Sequence, residues 1–326
     1  MNKIYQKIKG IVENNNFLYV ILINVKAYIL YFLNKISNYQ LEKIRFYKKV
    51  GYPINLKRPR SFNEKLVWKK IYDRNPLLSI TADKARVRSY IKEVLGEKRA
   101  KEILIPLLYV TDKPETIPFK SLPSSFIIKS NHASGLKILV ENDTYYDKKK
   151  IIKMCKRWLK IPYGLDKLEW AYQSITRKII IEKLLLDDNG NIPKDFKFYM
   201  FHGKCKLISV VFDRESNPSR SFFDEKWNFL SVKRLSFYQG AKIQKPKNYK
   251  NMLELAEILS KPYDYISIDL YNLNGKIYFG ELTHYPGSGT VKFEPNAFDF
   301  VLGKHWKIEP KYWEKQSKLK CNILLT

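Results

Sequence analysis

The segment from residue 264 to residue 283 constrains the fold most, because it has the pattern of two strands joined by a tight turn. It reads DYISIDLYNLNGKIYFGELT, with β-branched and aromatic residues on both sides of Asn274-Gly275. Asn-Gly is a strong signal for the type I′ turn that joins two antiparallel strands. The segment therefore predicts a β-hairpin and, with it, an antiparallel sheet.

Other parts of the chain have the same strand-like composition. Runs of β-branched and aromatic residues occur at 126–130, 137–141, 178–186 and 195–213, and the last run is divided by a turn at His202-Gly203. Such runs, bounded by turn residues, predict strands.

Helical patterns lie before and between these strands. Ser61 and Glu64 have the spacing of a capping box, which predicts that a helix begins there. Apolar residues at helical spacing after Thr81 predict another helix, which stops at Gly96. Further helices are predicted at 147–160 and 249–260. Together the patterns predict an α+β fold of antiparallel sheets and covering helices, in more than one lobe.

The length of 326 residues exceeds the size at which a single core usually stops growing. We therefore expect four parts along the chain. They are a helical N-terminal segment (1–50), a helical or α/β subdomain (51–125), a small lobe (126–186) and a large lobe (187–326).

The formal charge of +28 predicts an anionic partner. A nucleotide, an acidic polysaccharide or an anionic lipid would each be attracted by such a field. No specific nucleic acid is expected, because the chain has no zinc-finger spacing and no RNP-type aromatic motif. A lysine-rich codon bias of the host is an alternative origin of the charge.

The cysteines indicate a reducing compartment. Cys155, Cys205 and Cys321 are far apart in the sequence, and none belongs to a CxxC pair. Neither a disulfide framework nor a structural zinc site is expected, so the cytoplasm is the predicted location. No small-residue cleavage site follows the first apolar stretch, so a secretory signal is not expected.

That apolar stretch, residues 17–36, is about as long as a membrane span. Lys26 near its middle opposes insertion, and lysines lie on both sides of the stretch. We therefore favour a helix lying on an anionic membrane surface, which predicts a peripheral protein on the inner face of the plasma membrane. The alternatives are a spanning helix and a helix packed on the protein's own core.

Two lysine-bearing segments are candidates for phosphate binding. Lys129 ends a strand and is followed by the small, polar turn from Ser130 to Gly135, whose backbone N–H groups could approach phosphate oxygens. Lys84 lies close to the N-terminus of the helix predicted after Thr81. An ordinary hairpin and a solvated basic face are the respective alternatives.

Three acids interrupt apolar strands and need partners. Glu182 lies between Ile179–Ile181 and Leu184–Leu186, where it could serve an adenine or ribose group or pair with a lysine. Asp269 and Glu281 lie on the two strands of the 264–283 hairpin, so their carboxylates would repel unless a cation lay between them. Two such acids suit Mg²⁺, although pairing with lysine is the alternative.

The order of these parts along the chain resembles that in ATP-grasp enzymes. More narrowly, the chain resembles the teichuronopeptide-biosynthesis (TupA-like) ATP-grasp family. The resembling stretches are RPRSFNEKLVWKK, ADKARVRSYI, LPSSFIIKSNHASG, DFKFYMFHGK and SIDLYNLNGKIYFGELTHYPGSG.

The resemblance implies an ATP-grasp fold, with two α+β lobes that hold ATP between them, and it implies roles for several residues. Asp269 and Glu281 would bind Mg²⁺. Lys129 and Lys197 would contact the ATP phosphates, and Lys197 would also be catalytic. The turn containing His132, Ser134 and Gly135 would cover the phosphates, and adenine would be held by Glu182, Lys183, Leu184 and Leu185.

Two features depart from the usual ATP-grasp pattern. Thr283 stands where many of these enzymes have a metal-binding Asn. The arginine that stabilises the acyl phosphate has no clear motif, and Arg214 and Arg220 are the candidates. Asp187 or Asp188 is a candidate for the ribose. His132 and His284 fall within the site motifs, but neither is assigned a proton-transfer role.

The family implies a ligase that activates a carboxylate as an acyl phosphate, which an amine then attacks. Its association with teichuronopeptide and capsule-like polymers implies an amide between an amino acid or peptide and a uronic-acid sugar in polysaccharide biosynthesis. The alternatives are a kinase of the same fold that phosphorylates a glycan hydroxyl, and a noncatalytic glycan-binding or glycosyltransferase-partner protein.

Overall fold

A computed structural model describes residues 16–141, 145–213 and 217–315, which form two compact units. Of the described residues, the first unit contains 16–42, 107–141 and 145–184, and the second contains 43–106, 185–213 and 217–315. The four-part division that we expected from the sequence stays a prediction.

Nine α-helices lie within the described residues. They are α1 (Asn16–Ile36), α2 (Gln40–Val50), α3 (Phe62–Tyr72), α4 (Pro76–Ala82), α5 (Val87–Leu95), α6 (Glu97–Ile103), α7 (Lys148–Trp158), α8 (Tyr249–Ser260) and α9 (Ala297–Lys304).

Thirteen strands accompany them in the same part of the chain. They are β1 (Leu107–Thr111), β2 (Phe126–Ser130), β3 (Lys137–Val140), β4 (Ile179–Lys183), β5 (Asp195–Phe201), β6 (Lys204–Phe212), β7 (Ser219–Phe223), β8 (Phe229–Leu230), β9 (Lys233–Arg234), β10 (Tyr238–Gln239), β11 (Tyr265–Leu273), β12 (Lys276–Thr283) and β13 (Phe293–Glu294).

The first unit is built on a four-stranded sheet in the order β1-β4-β2-β3, with every neighbouring pair antiparallel. Alternate residues of β2 and β4, such as Ile128 and its cross-strand partner Ile181, point into the core. Helix α7 covers this face with Ile151, Cys155 and Trp158. The opposite face of the sheet is therefore left for polar side chains.

Helix α1 belongs to the first unit, and only one side of it is packed. Asn24 Nδ2 donates to the carbonyl oxygen of Lys160 at 3.0 Å, and the guanidinium of Arg157 lies over the ring of Tyr19. The other side is apolar and exposed. Its residues are Phe17, Leu18, Ile21, Leu22, Val25, Tyr28, Ile29, Phe32, Leu33 and Ile36.

The second unit is built on a larger sheet in the order β10-β7-β6-β5-β11-β12, and β8 also pairs with β7. The neighbours are antiparallel except β10 and β7, which are parallel. The hairpin predicted around Asn274-Gly275 is confirmed as β11 and β12, and the His202-Gly203 turn joins β5 to β6.

The two faces of the large sheet carry different side chains. On one face, Tyr199, Phe201 and Tyr265 pack with Phe62 of α3 and with Trp306. On the other face α8 covers the sheet, and Tyr249 stacks on Phe198 at 6.4 Å between ring centroids. The sheet is therefore covered on both faces over part of its length, as an α+β lobe requires.

The predicted start of α3 is confirmed. Ser61 caps the helix, its Oγ accepts from the backbone N–H of Glu64, and the Glu64 carboxylate accepts from the backbone N–H of Ser61. A capping box of this kind satisfies amides that have no partner within the helix. Helix α3 then packs Phe62 and Leu66 into the core of the second unit.

One predicted helix has different bounds from those expected. The helix expected after Thr81 begins only at Val87, as α5, and a turn at residues 83–86 separates it from α4. Asp83 Oδ1 accepts from the backbone N–H of Ala85 at 2.8 Å, which competes with helical hydrogen bonding there. The predicted stop at Gly96 is confirmed.

Candidate functional site

The pairing of strands in the large sheet brings three predicted site residues together. Asp269 on β11 lies opposite Glu281 on β12 and opposite Lys197 on β5. Residues directly opposite one another in antiparallel strands point to the same face of a sheet. Lys197, Asp269 and Glu281 therefore form a row on the face that carries Tyr199 and Tyr265 further along the strands.

Lys197 is held between two buried carboxylates. Its ammonium donates to Asp269 Oδ2 and pairs with Asp195 Oδ2 at 2.9 Å. Asp195 precedes Lys197 by two positions in β5, so both side chains lie on one face. The carboxylates of Asp195 and Asp269 are each only 2% exposed. We name this set, together with Glu281, the acid–lysine cluster.

The acid–lysine cluster contains more acids than bases. Burial raises the pKa of Asp269 to about 7; the ammonium of Lys197 opposes this rise, and the carboxylates of Asp195 and Glu281 add to it. A carboxyl group whose ionised form is this unfavourable gains from a further cation. Local electrostatics therefore favour cation binding at Asp269 and Glu281.

The donor set fits Mg²⁺ in its usual protein environment. Magnesium is commonly bound by one or two carboxylates, with waters and substrate phosphates completing its octahedron. No group of three or more His, Cys, Asp or Glu side chains suited to a metal occurs in the described ranges, so the metal prediction depends on the pair Asp269 and Glu281. Thr283, which departs from the expected Asn, contacts Glu281 Oε1 through its hydroxyl at 3.5 Å.

In the first unit, two residues predicted to meet the nucleotide pair with each other. Lys129 Nζ donates to Glu182 Oε2 at 2.9 Å, and their side chains are 21% and 10% exposed. Both point to the face opposite the core, since Ile127 is the cross-strand partner of Glu182. The structure thus shows the lysine pairing that we considered for Glu182, and the contacts of both residues with ATP stay predictions.

The turn after Lys129 is anchored at its first residues and exposed at its last. Asn131 Oδ1 accepts from the backbone N–H of Lys178 at 2.7 Å, and His132 Nδ1 lies 2.7 Å from Ser130 Oγ. Ser134 and Gly135 are exposed, and Gly135 has a φ of 80°, which a glycine adopts without strain. The fixed and exposed parts together suit a turn that covers a ligand.

The predicted adenine segment falls where the chain passes from one unit to the other. Lys183 ends β4 with an exposed side chain, whereas Leu184 and Leu185 are buried. The first unit ends at Leu184 and the second resumes at Leu185. The adenine contacts assigned to these three residues stay predictions.

The two candidates for ribose binding have different surroundings. The Asp187 carboxylate accepts from the backbone N–H groups of Asn189 and Asn191, which lower its pKa. Asp188 accepts from Asn274 Nδ2 at 2.9 Å and so links its loop to the β11–β12 turn. Asp187 is therefore engaged in shaping its own loop, and the ribose contact stays a prediction for both.

The remaining candidates are spread over the second unit. Arg220 is buried on β7, whereas Arg214 lies outside the described residues. Lys84, which was predicted near the N-terminus of the helix after Thr81, lies in the turn between α4 and α5, before the first residue of α5; its phosphate contact stays a prediction.

His284 is buried and linked to α4. Its Nε2 lies 3.1 Å from Thr81 Oγ1, which also accepts a hydrogen bond from the Tyr263 hydroxyl. Burial lowers its pKa well below the ordinary value, and the nearby Lys69 lowers it further. A neutral, buried imidazole of this kind fixes the end of β12 against α4.

Comparison with protein families identifies the chain. Residues 64–307 match the family model described as TupA-like ATPgrasp, which is more than half of the sequence. The chain belongs to the TupA-like ATP-grasp family. The match contains every predicted site residue, from Lys84 to Glu281, and leaves α1 and α2 outside it. The expected α+β, ATP-grasp fold is thereby confirmed.

Solved structures of ATP-grasp ligases resemble this family member only distantly. D-alanine–D-alanine ligase from Bacillus anthracis, complexed with ATP, is 18% identical with a TM-score of 0.36, over 64% of this chain and 55% of the ligase. The Helicobacter pylori ligase is 14% identical with a TM-score of 0.36, over 70% and 62%. An ADP complex of N5-carboxyaminoimidazole ribonucleotide synthetase is 13% identical with a TM-score of 0.37, over 64% and 46%.

These matches are partial in length. The chain covers less than two thirds of each of the three enzymes. No curated protein matches the chain. The family assignment therefore depends on the family model.

Sequence reasoning did not single out two charged residues of the second unit. Asp195 could have been found from its position two residues before Lys197, since that spacing places both side chains on one face of a strand. Arg234 lies on the two-residue strand β9, among short strands and turns without a hydrophobic period, so no sequence signal marked it.

Proposed function

We propose that this protein is an ATP-dependent and Mg²⁺-dependent carboxylate–amine ligase. The observation that carries the proposal is the acid–lysine cluster of the second unit, in which the buried Asp269 and the half-buried Glu281 lie opposite each other beside Lys197. Membership of the TupA-like ATP-grasp family supports the use of ATP.

Asp269 and Glu281 would hold Mg²⁺. When bound, this ion supplies positive charge to the phosphoryl group that is transferred. The two carboxylates lie on adjacent strands of a hydrogen-bonded sheet, so the backbone fixes their spacing before any ligand arrives. Such preorganisation is the main contribution of a protein to phosphoryl transfer.

Lysines would bind the ATP phosphates in both units. Lys197 is positioned by Asp195 and Asp269, which fix its ammonium at the metal pair. Lys129 is oriented by Glu182, and the turn with His132, Ser134 and Gly135 follows it. Adenine would meet Glu182 and the segment Lys183, Leu184 and Leu185.

The reaction joins an acid to an amine. The acid's carboxylate oxygen attacks the γ-phosphorus, ADP leaves, and the resulting acyl phosphate is attacked by the amine to give an amide and phosphate. Arg214 and Arg220 are the proposed stabilisers of the acyl phosphate. For substrates, we propose a uronic-acid sugar of a cell-surface polysaccharide precursor and an amino acid or peptide, in keeping with the +28 charge.

A nucleotide assay tests this function. The protein is incubated with ATP, Mg²⁺, a uronate and mixed amino acids, and ADP release is measured. Release only when acid and amine are both present is the expected result. ADP release with phosphorylation of the sugar would indicate a kinase instead, and the absence of both turnover and ATP binding would indicate a noncatalytic protein.

We also propose a location on the cytoplasmic face of an anionic membrane. Residues 17–36 are the one helix of the described chain that is long and apolar enough to cross a membrane, which alone is weak evidence of membrane contact. The support comes from the ten exposed apolar residues of α1, which face away from its packed side, and from the basic charge of the protein.

Cosedimentation with vesicles of phosphatidylglycerol and phosphatidylcholine tests the membrane proposal. The double variant Ile29→Gln with Phe32→Gln should partition about tenfold more weakly, because two exposed apolar side chains lose their burial in lipid. Leu235→Gln, an equally exposed site outside α1, is the matched control. Equal sedimentation of both variants would contradict surface binding by α1.

A further inference from the structure

The second unit contains a buried arginine that has no acid partner among the described residues. Arg220 on β7 is only 5% exposed, and its Nε and Nη1 make no hydrogen bond in the described structure. The guanidinium carbon lies 4.3 Å from the ring centroid of Phe237. A contact of this kind offsets only part of the cost of burying a charge without hydrogen bonds.

A second arginine adjoins it. The guanidinium carbon of Arg234 lies 5.1 Å from the centroid of the same Phe237 ring, and its Nε donates to Ser236 Oγ at 3.1 Å. Burial, and to a smaller extent repulsion by Arg220, lower the pKa of Arg234 to about 10. Within the described ranges neither arginine forms a salt bridge with a carboxylate, so two like charges adjoin without compensation.

The turn at Gly287 leaves space for the second guanidinium. A Cβ at Gly287 would lie 2.4 Å from Val291 Cγ2 and 3.1 Å from Arg234 Nη2, both closer than side chains usually approach. Gly287 also has a φ of 59°, in the left-handed region that favours glycine. A glycine at this position therefore admits the Arg234 guanidinium beside the backbone of the turn.

Arg220 lies on the same face of the large sheet as the acid–lysine cluster. Arg220 lies opposite Val211 of β6, and Val211 lies opposite Asp195 of β5. All three therefore point to one face, and two strand spacings of roughly 5 Å separate Arg220 from Asp195. An anion held at Arg220 would lie on the same face as Asp269 and Glu281.

We propose that Arg220 and Arg234 together form an oxyanion site that binds the carboxylate of the acid substrate. A planar guanidinium presents paired N–H donors that match the two oxygens of a carboxylate, and two guanidiniums supply the charge to hold it out of water. The assignment to the substrate acid rests on the proposed ligase function. The proposal makes Arg234 a residue that binds the acid substrate and does not bind the nucleotide.

The experiment measures anion binding without turnover. The melting temperature of the full chain is followed against sodium glucuronate, inorganic phosphate and uncharged glucose at constant ionic strength. Arg220→Gln and Arg234→Gln are compared with Arg99→Gln, an exposed arginine of the same unit that pairs with Glu254. Affinity for a fluorescent ATP analogue with Mg²⁺ is measured separately.

Wild type and Arg99→Gln should be stabilised by glucuronate and not by glucose. Arg220→Gln and Arg234→Gln should each need about tenfold more glucuronate for the same stabilisation, because a charge-assisted hydrogen bond is lost. Arg234→Gln should bind the ATP analogue with wild-type affinity. Without ligand, Arg234→Gln should melt no lower than wild type, because it removes one of two repelling charges.

Three results would overturn the proposal. One is a wild-type protein that responds to glucuronate no more than to sodium chloride. Another is an unliganded Arg234→Gln that melts well below wild type, which would indicate a structural role for the guanidinium. The third is stabilisation by phosphate alone with a large loss of ATP affinity in Arg234→Gln, which would assign the site to a nucleotide phosphate. Failure of the ligase function itself would appear elsewhere, as a lack of ADP release.

Discussion

The two units each place a lysine beside a carboxylate, but the charge balance of the two sites differs. In the first unit, Lys129 pairs with Glu182, and both side chains keep some contact with solvent. In the second unit, Lys197 lies among Asp195, Asp269 and Glu281, where burial is nearly complete for the first two acids. One site is balanced, and the other has an excess of acid.

This difference decides which of the two sites we propose for the metal. A partly exposed one-to-one pair satisfies itself and contributes little to stability. An acid-rich cluster in which two of the three acids are buried carries a repulsion that a divalent cation can relieve. We therefore expect Mg²⁺ to act on the second unit, and the small sheet to contribute mainly a lysine and a turn for phosphate.

The largest expected effect comes from removing the charge of Asp269. Asp269→Asn should lower the rate of ADP formation about 100-fold to 1,000-fold, the usual effect of losing one electrostatic contact to a transferring group. The measurement is steady-state ADP release at saturating ATP and Mg²⁺. Glu314→Gln, an exposed acid of the same unit, serves as the control and should keep full activity.

Asp269→Asn should still fold, because Lys197 keeps its contact with Asp195. Its circular dichroism and melting should therefore remain cooperative. If Asp269→Asn is active and needs the same Mg²⁺ concentration as wild type, the proposal that the metal binds in the second unit is wrong.

The second prediction concerns pH. In the folded chain the pKa of Asp269 is about 7, above the value of about 4 for an unfolded aspartate. Between these values the folded protein holds a proton that the unfolded chain has lost. Wild-type stability relative to Asp269→Asn should therefore be highest at pH 4 and fall by on the order of 3 kcal/mol as the pH rises to 8.

Denaturant unfolding of both proteins at pH 5 and pH 8, without Mg²⁺, measures this difference. Added Mg²⁺ should restore wild-type stability at pH 8 and have a smaller effect at pH 5, because it binds the ionised carboxylate. If the free energy of unfolding changes with pH in the same way for both proteins, the pKa of Asp269 is not raised in the folded chain.

Much of the fold could be predicted from local sequence signals. The Asn274-Gly275 turn, the capping box at Ser61 and the helical spacing of 249–260 each correspond to an element with the expected bounds. These features depend on residues close together in the sequence. The turn at residues 83–86, which delays the start of α5, was not predicted, because it depends on one Asp83 side chain that accepts from a nearby backbone amide.

The site was harder to predict, because its contacts join distant strands. The opposition of Asp269 and Glu281 follows from one hairpin and was predicted, whereas the place of Lys197 beside Asp269 depends on the pairing of β5 with β11. The convergence of Arg220 and Arg234 on Phe237 depends on short strands without a periodic pattern. Such contacts are set by sheet order, which no local pattern contains.

The smallest expected effect is the coupling between Lys129 and Glu182 in the unliganded protein. A double-mutant cycle with Lys129→Met and Glu182→Gln should give a coupling energy of at most about 1 kcal/mol in denaturant unfolding, since both groups are partly solvated. The two variants should differ in their affinity for nucleotide. Lys129→Met should bind a fluorescent ATP analogue about tenfold more weakly, because a phosphate contact is lost. Glu182→Gln keeps the ammonium of Lys129 and its phosphate contact. The Glu182→Gln variant should therefore lose less affinity than Lys129→Met, and this loss should come from contacts with the adenosine part of the ligand. A coupling energy well above 1 kcal/mol, with no change in nucleotide affinity, would make this pair a structural salt bridge and leave the acid–lysine cluster as the one site where charge serves the ligand.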